Sequence, residues 1–197
     1  MRTMRLVAVD VAILPPPDVM AQAIEHSAAL SAHSEPGGLR LDDGHLPHVT
    51  LTQHFIRADE LDLAFTHVNA VLADQPPVRV AITGGGRSHR TLWMSVERTP
   101  ELVDLHERLM EALRGVERQG GGPHAFFEEG RVGDVRWVTG FRLKSSGSAF
   151  TPHITLGHGA DMPSIEPVAF DATTIAACHL GRFCTCCKVL RAWDLRP

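Results

Sequence analysis

The sequence predicts an α+β fold with antiparallel sheets, divided into two similar lobes that face each other. Three observations carry that expectation. A five-residue phrase, Pro47-His48-Val49-Thr50-Leu51, returns 105 positions later as Pro152-His153-Ile154-Thr155-Leu156. Strand patterns are numerous and most of them meet through short turns. In each half a helical pattern stands ahead of or behind a strand pair. Chance explains the repeat poorly, since this composition gives odds on the order of one in a thousand for even one such pentapeptide. Internal repetition is a signature of duplicated architecture.

The 197 residues suit one domain, 1–197, with two pseudo-symmetric lobes and a sizeable core. A hydrophobic content of 44% and a mean hydropathy of −0.03 are those of a globular chain. No apolar run approaches the roughly 18 residues of a membrane span. Near the N-terminus Asp10 interrupts the apolar stretch and Pro15-Pro16-Pro17 follows, which reads as a first strand and not a signal peptide. A cytoplasmic monomer is expected. The net charge of −4 provides no global field for nucleic acid, although Arg131, Arg136, Arg142 and Lys144 face only Asp134 in their stretch.

Taken in order, Arg5 to Leu14 reads as a strand with Val7, Val9, Val11 and Ile13 on one face. Asp18 is expected to cap a helix reaching about Ala32, with Met20, Ile24 and Ala28 inward. Ser34 to Gly44 is loop, and the first repeat strand runs from Leu46 to about Phe55. Asp59 caps a second helix with the stripe Leu61, Phe65, Val68 and Leu72. Val78–Thr83 and Thr91–Val96 are two strands joined by a glycine-rich loop, Gly84 to Arg90. Thr99 as N-cap and Pro100 as N1 open the clearest helix, striped by Leu102, Leu105, Leu109, Leu113 and Val116. Val135 to Leu143 reads as a strand between loops. The second repeat strand spans Phe150 to Gly157, and Val168–Leu180 with Phe183–Leu195 forms a closing hairpin that turns at Gly181.

Within each repeat, side chains two apart share a face of the strand. His48 stands beside Thr50, and His153 beside Thr155, while Val49, Leu51, Ile154 and Leu156 point into a core. Unbroken alternation puts Thr52 and His54 on the active face of the first strand and turns His158 away from that of the second. Two imidazoles on one cleft suit in-line displacement at phosphorus: the neutral one takes a proton from the attacking oxygen, the protonated one gives a proton to the leaving oxygen. Histidine serves both roles near neutral pH because its unperturbed pKa is about 6.5. The neighbouring hydroxyls can hold phosphoryl oxygens as charge builds. No metal is required by this chemistry.

The paired tetrapeptides His48–Leu51 and His153–Leu156 resemble the signature of the two-histidine (2H) phosphoesterase superfamily, and the chain looks most like its bacterial RNA 2',3'-cyclic phosphodiesterase, or 2'-5' RNA ligase, branch. The order of elements fits over most of the chain. The resemblance implies a bilobal fold, two antiparallel sheets flanking a central cleft with helices packed outside. It also implies metal-independent opening of cyclic phosphates, or handling of 2'-5' bonds, without a cofactor. The substrates are then RNA ends or small cyclic-phosphate nucleotides. By motif position it carries catalysis to His48 and His153 and phosphate binding to Thr50 and Thr155. We assign His153 as the base and His48 as the acid in hydrolysis, with the roles reversed in ligation.

The stretch 124–147 is expected to form much of the nucleotide-side wall. Arg131 and Arg142 are candidates to meet a phosphate, and Phe126, Phe127, Trp137 and Phe150 are the aromatic candidates for stacking a base. His54 is a candidate to support the site. Cys178, Cys184, Cys186 and Cys187 match no common zinc spacing and read as strand-packed thiols. Two other readings use the same residues: a non-catalytic RNA- or nucleotide-binding module with the same cleft, and a metallohydrolase built from the twelve histidines and the cysteines.

Overall fold

Nine strands and four helices form from the described residues, 5–31 and 38–196, of the computed structural model. In chain order they are β1 (Leu6–Leu14), α1 (Pro17–Ser31), β2 (Val49–Arg57), α2 (Leu61–Leu72), β3 (Val78–Ser88), β4 (Thr91–Val96), α3 (Pro100–Ala112), β5 (Glu117–Arg118), α4 (Val132–Lys144), β6 (His153–His158), β7 (Val168–Ala172), β8 (Thr174–Leu180) and β9 (Cys186–Asp194). They make two antiparallel sheets. One has five strands in the order β5-β2-β1-β8-β9, the other four in the order β6-β4-β3-β7. Each sheet holds one copy of the repeat, in β2 and β6. The fold is α+β, as strands that meet through short turns predict.

A single large core joins the two sheets. Val7, Val9, Val11, Ile13, Val49 and Leu51 from the first meet Val80, Ile82, Met94, Ile154 and Leu156 from the second, with Val19, Ala23, Val68 and Leu105 from α1, α2 and α3. The aliphatics of both repeats are 0% exposed, so each motif strand is anchored by the residues that alternate with its histidine and threonine. Burial of such side chains is worth about 1.5–3 kcal/mol each.

Helix α3 follows its local signals. Thr99 Oγ1 accepts the Leu102 N–H at 3.2 Å, Pro100 opens the helix, and Leu102, Leu105 and Leu109 are buried. It stops at Ala112, before the Gly120 run. Helix α1 starts at Pro17, so Asp18 lies inside its first turn, and the buried row is Val19, Ala23 and Ser27, one position before the expected Met20, Ile24 and Ala28. Ala32 and the first residues of the expected loop lie outside the described residues. Helix α2 is preceded by a 3-10 turn, Ala58–Glu60, and Asp59 is engaged by Arg57 instead of capping.

Three expectations are corrected. Strand β3 runs straight through Gly84–Ser88, where a loop was expected, because Gly84 to Ser88 pair with Ser95 to Thr91 beyond a bulge. The closing segment is divided: β7 pairs with β3 in the four-stranded sheet, whereas β8 and β9 belong to the other. Residues 132–144 form a helix, not a strand. The alternation Val135, Trp137, Phe141, Leu143 is misleading, since Trp137 is 49% and Leu143 87% exposed. The buried row is Asp134, Val138 and Phe141, at helical spacing. Asp134 accepts the Arg131 backbone N–H at 2.8 Å, the N3 half of a capping box. Val138 then packs with Ala8, Phe55, Phe126 and Leu180 on the face of the five-stranded sheet opposite the large core.

Candidate active site

A cavity of about 540 Å3 is lined by His48, Thr50, His153 and Thr155, so the fold brings both repeats to one space. Its wall also includes Leu41, Gln53, Thr91, Arg131, Trp137, Phe150, His158 and Phe183. The two histidines are held alike. His48 Nδ1 donates to the Leu46 carbonyl at 2.8 Å, and His153 Nδ1 donates to the Thr151 carbonyl at 2.7 Å, in both cases the residue two positions back. A proton fixed on Nδ1 leaves Nε2 of each ring as the working nitrogen.

Each motif strand carries a bulge at the same place. Val11 pairs with Thr52 and Ala12 with Thr50, so Leu51 is the extra residue in β2. Leu92 pairs with Gly157 and Trp93 with Thr155, so Leu156 is the extra residue in β6. The bulged residue is the leucine that ends each motif. An inserted residue reverses the alternation beyond it. Gln53 and His158, each five positions after its histidine, therefore return to the cavity. Gly157, at φ 154°, adopts the backbone that the second bulge needs.

This overturns the placement of three residues. Thr52 and His54 are turned to the opposite face, and both are buried. His54 Nδ1 lies 3.0 Å from Glu117 Oε2. His158 belongs to the cavity wall, its ring 5.3 Å from that of Phe183. Burial, with Arg131 and Arg90 nearby, pushes His158 below the usual imidazole range. Arg142 lies outside the cavity as well. Its Nε and Nη2 meet the Glu117 carboxylate at 2.7 and 2.6 Å, and Nη2 also donates to the Met110 carbonyl.

Arg131 does line the cavity. Its Nη2 is 2.6 Å from Asp134 Oδ1, and its guanidinium lies 3.5 Å above the Phe183 ring. Phe183 and Cys184 both have positive φ, at 60° and 55°, a backbone cost tolerated where the surroundings over-determine it. Here the Phe183 N–H donates to the same Asp134 carboxylate. Of the aromatic candidates, Phe150 is a buried part of the wall, stacked flat on His106 at 4.0 Å, and Trp137 is half-exposed at the rim. Phe126 is core, and Phe127 stands against His179 away from the cavity.

The residue that alternation alone does not reveal is Asp10. It is 0% exposed in the centre of β1. Its Oδ2 accepts from Thr50 Oγ1 at 2.7 Å and from Gln53 Nε2 at 2.8 Å, and lies 3.7 Å from His48 Nε2. Burial raises its pKa, against the opposing effects of His48, Gln53 and Thr50. Its signal in the sequence is a lone acid inside an apolar strand, on the face that Val7, Val9 and Val11 avoid.

His153 also departs from its usual range. Burial lowers its pKa, the Thr151 carbonyl opposes this, and positive charge on His48 adds to the lowering. The Trp93 ring, 5.2 Å away, contributes to that burial. Among the described residues two groups bring metal-type donors together: Asp10, His48 and Cys186, of which only His48 lines the cavity, and His45, Glu128 and Cys187, of which none does.

The profile of the 2'-5' RNA ligase superfamily matches residues 15–178, more than four-fifths of the chain. The chain belongs to that superfamily. Its members are phosphoesterases and RNA ligases. This superfamily member is similar in fold to LigT of E. coli in its apo form, with a TM-score of 0.59 at 18% identity over 98% of this chain and 99% of LigT. It is likewise similar to TT0787 of Thermus thermophilus, with a TM-score of 0.61 at 19% identity over 96% and 98%. LigT complexed with 3'-AMP gives 0.56 at 19% identity over 98% and 99%. No curated protein matches the sequence. No helix among the described residues of this superfamily member is long and apolar enough to cross a membrane.

Proposed function

We propose that the chain is a metal-independent phosphoesterase that opens 2',3'-cyclic phosphates, on RNA ends or small nucleotides, and acts by the same chemistry on 2'-5' linkages. One observation carries this reading: two imidazoles, each with Nδ1 tied to the carbonyl two residues back, share a cavity with a threonine two positions along each strand. LigT has been crystallised with phosphate, 3'-AMP and ATP, which supports a nucleotide as occupant.

In hydrolysis His153 serves as base. Held neutral at pH 7 by burial, its Nε2 takes a proton from water as the water oxygen bonds to phosphorus. The bond from phosphorus to one ribose oxygen breaks, and that oxygen receives the proton of His48. Asp10 Oδ2 stands 3.7 Å from His48 Nε2, the nitrogen that carries this proton. Thr155 steadies the non-bridging oxygens, and Thr50, whose hydroxyl donates to Asp10 in the unliganded site, redirects that proton to join it. In ligation the two histidines exchange roles.

The test is a short RNA ending in a 2',3'-cyclic phosphate, incubated with EDTA present. The wild type should open the ring to one phosphomonoester isomer, and His48→Ala and His153→Ala should each lower kcat/KM by about 10^2–10^4-fold. The acid limb of the wild-type profile should fall below pH 6.5, because His153 must lose its proton to work and burial makes that easier. Tight binding of the RNA without turnover, insensitive to either substitution, would establish the binding-module reading instead.

A further inference from the structure

We infer that His45, Glu128 and Cys187 form a zinc site beside the cleft, separate from the catalytic cavity. None of the three lines that cavity. One ligand atom from each lies within 4.8 Å of the other two. His45 Nε2 is 3.4 Å from Glu128 Oε1 and 3.5 Å from Oε2, long for a hydrogen bond. Tetrahedral zinc, with bonds of roughly 2.0–2.3 Å to nitrogen, oxygen and sulfur, sets neighbouring donors about 3.3–3.6 Å apart. The histidine and the carboxylate already stand at that separation.

The other ring nitrogen is arranged as a metal-bound histidine requires. His45 Nδ1 lies 2.9 Å from Asp42 Oδ1 and donates its proton there. The carboxylate thereby fixes the tautomer and turns the Nε2 lone pair outward, the usual second partner of a zinc-bound imidazole. With the ring neutral, that lone pair faces the Glu128 carboxylate, and either a second proton on the ring or a cation between the two groups satisfies the pair. A proton on His45 supplies one positive charge; a divalent ion supplies two and accepts the Cys187 thiolate as well. The mixture of thiolate, imidazole and carboxylate favours zinc over magnesium or calcium, which take oxygen donors.

Space for the sulfur is provided separately. A Cβ on Gly181 would come within 2.1 Å of Cys187 Sγ, so a residue with any side chain there would displace the thiol. Thr185 Oγ1, 3.5 Å from Sγ, orients it. The three donors come from three segments that border the cleft: the loop leading to His48, the loop leading to Arg131, and the start of β9. An ion here would join these segments while leaving the phosphate chemistry to the histidines.

The test is a titration of the metal-free full-length protein with Co2+, followed by displacement with Zn2+. One equivalent should bind, with a thiolate-to-cobalt band in the near ultraviolet that zinc abolishes, and zinc should raise Tm by a few degrees. Cys187→Ser should remove the band, Glu128→Gln should weaken binding at least tenfold, and Asp42→Asn should do so by about 10–100-fold. Far-UV circular dichroism confirms that each variant is folded. No saturable binding would overturn the site, as would binding unchanged in folded Cys187→Ser, which would place the ion elsewhere. Metal occupancy is read independently of turnover, so failure here leaves the phosphoesterase proposal standing, and the reverse also holds.

Discussion

Asp10 holds two cavity residues at once, accepting from Thr50 and Gln53 through one oxygen, while its Oδ1 is buried with no hydrogen-bond partner. Its folded-state pKa lies above the ordinary value because of burial. A carboxyl so shifted stabilises the fold fully below about pH 3.8 and loses that contribution as pH rises through the folded value. At pH 8 the carboxyl therefore costs stability. Asp10→Asn keeps the shape and the acceptor, so it should raise Tm by a few degrees at pH 8 and lower turnover of a cyclic phosphate about tenfold or more. A fall in both would mean that Asp10 serves only packing. This residue was visible in the sequence as an anomaly, a charge among valines, but its partners were not, because Gln53 reaches it only through the bulge.

Strand β5 is two residues long, yet it fastens two longer elements. Glu117 receives His54 from β2 and Arg142 from α4. Burial raises the Glu117 pKa, but hydrogen bonds from His54 and Arg142 outweigh it and bring the value to about 2. The stability so gained is present above the ordinary pH of about 4.5 and is lost as pH falls toward 2. Glu117→Gln should cost on the order of 2–3 kcal/mol at pH 7, and the difference from wild type should narrow below pH 4, in urea unfolding followed across pH. An equal difference at pH 3 and pH 7 would show that charge is not the cause. Elements with strong local signals were legible, α3 through Thr99 and Pro100 above all. Helix α4 was not, since its apolar residues satisfy a period of two as well as one of 3.6. What decides between them is the sheet face holding Ala8 and Phe55, far away in sequence. The bulges were equally hidden, for a bulge is a matter of pairing between strands, and only Gly157 marks one of them.

The two sheets share one core, reaching from Val7 in the first strand to Leu195 near the chain's end. We propose that the lobes form a single folding unit. Trp193 reports on the five-stranded sheet, Trp93 on the four-stranded sheet, and Trp137 on the rim between them. Thermal unfolding should then show one transition, superimposable in tryptophan fluorescence and far-UV circular dichroism. Two separated transitions would make the lobes independent domains. The duplicated architecture was readable because His48–Leu51 and His153–Leu156 are nearly the same words, and their meeting in one cavity follows from the same face being turned inward in both sheets.

A regular strand reveals little about the surface it serves, because alternation is what any half-buried strand adopts. A flaw is different. Both copies here misplace one residue, at the leucine closing the motif, and both resume with a polar side chain in the cavity, Gln53 in one and His158 in the other. A plain strand would have filled those positions with Thr52 and Gly157; the extra residue lets each half set a longer polar side chain one step further from its histidine.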